Sequence, residues 1–224
     1  MSRAEQFYRA GRADLLAGKV DADEPPVDGG PRWGVSAILR PRGDVVERLR
    51  SVAASIAHMI GPGHWVHGKE SLHTTLRSFE PYSTRDMDDD LRVGAYADAV
   101  AEACDGFAPV SLTLQGVAPH SGGIMMVGKE EPQGLPLLQQ RLAAALQARD
   151  VVDDEADFTR DLWYVQLVHF AGPVHDPTAL VKWGDERREE VFGTCIYNEV
   201  EIVRWFHVDG SMRNETLHRV KLDG

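Results

Sequence analysis

Two histidines on separate strand-like runs are the residues of this chain best placed to move protons. His73 opens the triplet His73-Thr74-Thr75 within SLHTTLRSFEPY, and His169 opens His169-Phe170-Ala171 within LWYVQLVHFAGPV. Imidazole titrates near neutrality, so two rings facing one bound molecule can take a proton and give one in the same reaction. On a strand, residues two apart share a face. By that alternation His73, Thr75 and Arg77 point one way, while Leu72 and Leu76 suit a helix-covered core on the other side with Thr74. In the second run His169 and Ala171 share a face with Val165 and Leu167, and Gln166, Val168 and Phe170 take the opposite one. The first strand thus offers a hydroxyl and a guanidinium beside its histidine. The second offers its histidine alone, because Ala171 has nothing to donate.

Other candidate groups are weaker. His64 and His67, in GHWVHGKE, have no Cys, Asp or Glu partner at a metal-ligand spacing, so they read as a groove-edge loop to which Lys69 adds positive charge. His120-Ser121-Gly122-Gly123 reads as a hairpin turn, since no helix follows to make it a phosphate cradle. Trp163, Tyr164, Trp205 and Phe206 could offer a base-stacking face, although strand aromatics more often serve packing. Cys104 and Cys195 have neighbours unlike any metal or redox motif and are expected to be buried free thiols. The run Asp185 to Glu190 reads as a solvated helix end. Neither a metal nor a cofactor is expected.

The elements that must position these groups follow from periodicity. Residues 3–17 read as an amphipathic helix, and the acidic Pro/Gly stretch VDADEPPVDGGP at 20–31 as a linker. The chain is thereby divided into an N-terminal helix with its linker, 1–31, and a main domain, 32–224. Within the main domain strands are expected at 33–41, 72–79, 109–119, 123–130 and 163–171. Helices are expected at 45–60, 87–104 (with an acidic first turn), 135–150 and 176–190, the last with Asp176 as N-cap and Pro177 at its first position. VFGTCIYNEVEIVRWFHVD and TLHRVKL supply the closing strands. Strand–helix alternation with hairpins interleaved predicts an α+β protein, helices packed outside a sheet.

The chain has 224 residues, 43% apolar and 26% charged, as expected of a globular protein with a well-buried core. No apolar run approaches the ~18 residues that cross a bilayer, and MSRAEQFYRAGRADLLAGK lacks a secretory h-region, so a cytoplasmic protein is expected. Net charge is −11, from 24 basic and 35 acidic side chains. That argues against a long nucleic acid, which calls for a basic stripe, and leaves a small anionic ligand open. The sequence carries no signal of a particular oligomeric state.

The chain resembles the two-histidine (2H) phosphoesterase superfamily, which includes bacterial RNA 2′,3′-cyclic phosphodiesterases, also called 2′-5′ RNA ligases. The resemblance spans roughly residues 33–222: GVSAILRP, LHTTL, the VSLTLQGV and GGIMMVG hairpin, LPLLQQRLAAAL, the second histidine strand, ALVKW, VFGTCIYNEVEIVRWF and HRVKL. It implies a bilobed fold whose antiparallel sheets line a central groove with helices outside. It also implies His73 and His169 as the acid/base pair of a metal-independent reaction on a small phosphorylated or nucleotide substrate, with Thr75 as a phosphate donor. Ala171 departs from the second motif, where a hydroxyl would stand. A hydrogen bond to a charged group is worth about 1.5–3 kcal/mol, roughly ten- to 150-fold in rate or affinity. Arg77, on the His73 face, could compensate in part. The departure also leaves open an enzyme of small-molecule metabolism reusing the groove, or a non-catalytic binder of a phosphorylated ligand.

Overall fold

The computed structural model describes residues 3–30, 32–84, 91–130, 134–156 and 158–224. Their strands form two antiparallel sheets. One runs in the order β3 (Thr74–Ser78), β1 (Val35–Leu39), β8 (Glu199–Val208), β9 (Ser211–Lys221). The other runs β2 (Trp65–Val66), β6 (Tyr164–His169), β5 (Gly123–Glu130), β4 (Val110–His120), β7 (Val191–Tyr197). His169 ends β6 of the second sheet, and His73 immediately precedes β3 of the first. β4 and β5 are joined by the two-residue turn Ser121-Gly122, as the sequence predicts.

Among the described residues five helices cover these sheets: α1 (Arg3–Leu16), α2 (Asp44–Ile60), α3 (Leu91–Cys104), α4 (Leu135–Gln147) and α5 (Pro177–Glu186). α2 buries Val45, Leu49, Val52, Ile56 and Met59, the three-to-four spacing of one helical stripe, against β6 and β7. α3 and α4 pack on each other and against the first sheet. The expected acidic start of α3, at 87–90, lies outside the described residues. α5 is capped by Asp176, whose side chain accepts the Ala179 N–H at 2.8 Å, with Pro177 in the first turn. Cys104 and Cys195 are buried and unpaired. No described helix is long and apolar enough to cross a membrane.

The main core lies between helices and sheets and includes Leu39, Leu76, Leu112, Val165, Leu167 and Ile202. A second cluster, Ile38, Trp65, Val203, Trp205 and Met212, lies apart from it. The sheets meet where the Thr74 hydroxyl donates to the Tyr164 carbonyl at 3.1 Å, tying the two histidine strands together.

α1 is docked rather than trailing. Tyr8 packs with Ala118, Met125 and Val127, and its hydroxyl bonds Asp185 of α5. Gly11 makes this approach possible, since a Cβ there would lie 2.7 Å from the His120 Cβ and 2.9 Å from its Cα.

Candidate active site

Both histidine strands carry a β-bulge, and the bulges decide which side chains reach the cleft. In β3, Ala37 pairs with Arg77 but Ile38 pairs with Thr75, so Leu76 is the extra residue. An extra residue restarts the two-residue alternation. Past it Ser78, not Arg77, returns to the side of His73 and Thr75. Arg77 turns into the protein, its Nε 2.9 Å from Oδ2 of Asp153 and its Nη2 3.0 Å from the Glu155 carbonyl. The simple alternation that places Arg77 beside His73 is corrected here.

β6 repeats the device. Met125 pairs with Gln166 and Ile124 with Val168, which leaves Leu167 unmatched. Tyr164, Gln166 and His169 line the cleft, while Val165, Leu167, Val168 and Phe170 enter the core. The expected grouping of His169 with Val165 and Leu167 is therefore also corrected. Ala171 falls beyond the end of β6, packed with Trp33 against the Trp65–Trp205 cluster and outside the cleft lining. Its N–H donates to Nδ1 of His64 at 3.2 Å.

His73, Thr75 and His169 line one cleft of about 200 Å³. Each histidine is held through Nδ1. That of His73 is 2.8 Å from the Ser71 carbonyl, so it carries the proton and leaves the Nε2 lone pair available. That of His169 is 2.7 Å from Oδ2 of Asp23. Arg32, whose Nη1 pairs with Asp23, places Nη2 3.4 Å from the same ring nitrogen. Nδ1 cannot donate to the carboxylate and accept from the guanidinium at once; the carboxylate contact, at ion-pair distance, is the shorter of the two.

Burial favours neutral rings. It lowers His73 to about 4, only partly opposed by the Ser71 carbonyl. It also lowers His169, where Asp23 works in the other direction. A third ring, His67, has its centroid 5.8 Å from that of His73 and 5.1 Å from that of His169. Burial pushes His67 well below the usual range, and its Nε2 meets no hydrogen-bonding group among the described residues. Among those residues no group of three His, Cys, Asp or Glu side chains is spaced to hold a metal.

The cleft walls combine cations, hydroxyls and aromatic rings. Arg32 and Arg160 bring positive charge, the latter paired with Glu155, and Ser36 and Ser78 stand among the lining groups with Thr75. Trp205 lies 4.7 Å from the His73 ring and Trp33 4.8 Å from that of His169. Trp33 holds this place with φ of +68°, a left-handed conformation that costs a bulky residue about 1 kcal/mol or more. Of the four aromatic residues singled out from sequence, Tyr164 and Trp205 line the cleft, whereas Trp163 lies in the main core. Met125 and Val127 pair with Gln166 and Tyr164 and share their face, so α1 covers part of the cleft-side surface of the second sheet.

Asp23, Arg32, Trp33, His67, Arg160 and Gln166 were not assigned to the site from sequence. Only His67 left a trace there, as half of the His64/His67 pair. Asp23 had none: in an acidic Pro/Gly stretch one carboxylate reads like its neighbours.

No family model and no curated protein matches the sequence. Solved structures do match. The chain is similar to TT0787 of Thermus thermophilus, with 16% identity over 84% of this chain and 97% of that one, at a TM-score of 0.59. It is similar to E. coli LigT complexed with 3′-AMP, with 16% identity over 90% of this chain and 100% of that one, at a TM-score of 0.58. A crystal structure described as a phosphoesterase matches at 15% identity over 90% and 100%, with a TM-score of 0.58. LigT is also matched in complexes with ATP, phosphate and NADP+. The neighbours are of the 2H phosphoesterase and 2′-5′ RNA ligase type, and the chain shares their α+β fold.

Proposed function

We propose that the protein is a phosphoesterase that uses His73 and His169, without a metal, on a 2′,3′-cyclic phosphate or a short 2′-5′-linked nucleotide. The observation that carries the reading is that two imidazoles, each fixed through Nδ1, line a single cleft with Thr75 and two arginines. Fixing Nδ1 leaves both Nε2 atoms for chemistry. Neutral imidazole takes the proton of water as its oxygen bonds to phosphorus; imidazolium gives a proton to the ester oxygen as the phosphorus–oxygen bond breaks. The anionic oxygens fall to Thr75, Arg32 and Arg160, which stabilise charge as it grows. The negative charge of the bound phosphate raises both histidines, bringing one of them into its protonated form near neutral pH.

LigT, similar in fold, is known in complexes with 3′-AMP, ATP and phosphate, and the reading extends that class of ligand to this chain. Trp205 and Tyr164 offer stacking faces for a base. α1 on the second sheet and the net charge of −11 both favour a short substrate over a polynucleotide.

The test is turnover of 2′,3′-cyclic nucleotides in the presence of a chelator. Turnover is expected, with kcat/KM reduced about 10²–10⁴-fold by His73→Ala and by His169→Ala, and roughly ten- to 150-fold by Thr75→Ala. Turnover that survives both histidine changes refutes the reading. Nucleotide binding without turnover identifies a binding protein instead.

A further inference from the structure

The acidic stretch expected to be a linker is bonded to the site. The Asp21 N–H donates to the Ser121 carbonyl at 2.9 Å, and the Ser121 hydroxyl to the Asp21 carboxylate at 2.5 Å. The Asp23 N–H donates to the carbonyl of Phe170, the residue after His169, at 2.6 Å. These bonds fasten the strap to the β4–β5 turn and to the end of β6. They also deliver a carboxylate with a side chain only 11% exposed to a ring that is itself 9% exposed. Further along, the Gly29 N–H donates to the Tyr82 carbonyl and the Tyr82 N–H to the Gly30 carbonyl, so the strap is held at both ends.

We infer that Asp23 is a positioning residue: it accepts the Nδ1–H of His169, aims Nε2 at the cleft, and makes His169 the proton donor and His73 the proton acceptor. The assignment of donor and acceptor rests on the phosphoesterase reading; the positioning itself does not. The difference between the rings lies in their partners. His73 leans on a backbone carbonyl, a neutral dipole, whereas His169 leans on a full negative charge, which favours the imidazolium far more in a buried site. The other groups facing His169 oppose its protonation or are neutral: Arg32 just after the strap, His67 before β3, His120 across the hairpin and the Trp33 ring. Asp23 is the one described carboxylate in contact with the ring. In the reaction a water proton passes to Nε2 of His73, and the proton on Nε2 of His169 passes to the departing ester oxygen. Exchange with solvent then restores both rings.

The experiment is a histidine ¹⁵N titration of the full chain, wild type and Asp23→Asn, with His73→Gln and His169→Gln used for assignment. In the wild type His169 is expected in the Nδ1–H tautomer and to protonate at higher pH than His73. In Asp23→Asn its midpoint is expected to fall by about one pH unit or more while that of His73 stays put. The high-pH limb of kcat/KM on a 2′,3′-cyclic nucleotide is expected to move down with it, since that limb reports the acid. An unchanged tautomer and midpoint in Asp23→Asn overturns the inference, even in an active enzyme. If that variant does not fold, the wild type still decides: His73 protonating above His169 overturns it. Wild-type protein that shows the expected His169 behaviour yet leaves cyclic nucleotides untouched supports the positioning role and refutes the phosphoesterase reading alone.

Discussion

Replacing Arg77 by Met separates a structural arginine from a substrate-binding one. Arg77 and Asp153 form a pair whose side chains are 4% and 3% exposed. Removing the guanidinium leaves the buried Asp153 carboxyl with the Glu155 N–H, 2.7 Å from Oδ1, as its remaining partner among the described residues. Breaking one side of such a pair costs about 3–5 kcal/mol, because the remaining charge loses its partner without regaining water. For a chain of this size each kcal/mol lowers Tm by about 2–4 °C, so the expected drop is roughly 6–20 °C. The double variant Arg77→Met/Asp153→Asn removes the orphaned charge and keeps an acceptor for the Glu155 N–H, so most of the loss should return. Urea unfolding and thermal melting measure the stability, and kcat/KM of the surviving folded protein measures activity, which should change less than threefold. A stable Arg77→Met protein with a large loss of phosphate affinity would refute the bulge argument and return Arg77 to the cleft.

Acid should weaken the fold before carboxylate titration dominates. His73 and His120 are both held near 4 by burial, below the 6.5 of the unfolded chain, so stability present above pH 6.5 is lost as pH falls toward 4. Each accounts for up to about 3 kcal/mol between those limits. Urea midpoints at pH 7.5 and 4.5 check this, and His120→Gln should flatten the dependence; an unchanged slope would contradict it. Gly11→Val should lift α1 from the His120 backbone and cost about 1–3 kcal/mol despite the better helix former. Faster proteolysis within residues 1–31, with the rest of the chain intact, is the expected readout.

The histidine strands, the hairpin around Ser121-Gly122 and the cap at Asp176 were legible because each is a local pattern: alternation, a turn pair, a side chain three residues from its N–H. The faces of those strands were not. A bulge at Leu76 or Leu167 comes from how the neighbouring strand pairs, and nothing in LHTTLRSF or WYVQLVHF marks the residue left over. A count of two per face therefore placed Arg77 on the wrong side and missed Ser78 and Gln166. Asp23 was hidden for a different reason. Its partner is remote in sequence, and its own neighbourhood, rich in acids, prolines and glycines, has the composition of solvated chain. Ala171 is visible in the sequence as a departure from the second motif of the superfamily the chain resembles, but its packing against the Trp65–Trp205 cluster, past the end of β6, could only be seen in three dimensions.

The strap also fixes the order in which the molecule can be completed. Residues 20–23 leave the ribosome long before Phe170 and Asp185, the groups that hold the strap and α1, have been synthesised. Closing loops of that length is slow, because chain entropy must be surrendered before any contact rewards it. The two sheets can form while the first segment still wanders, and the Asp23–His169 contact is made only when that segment docks.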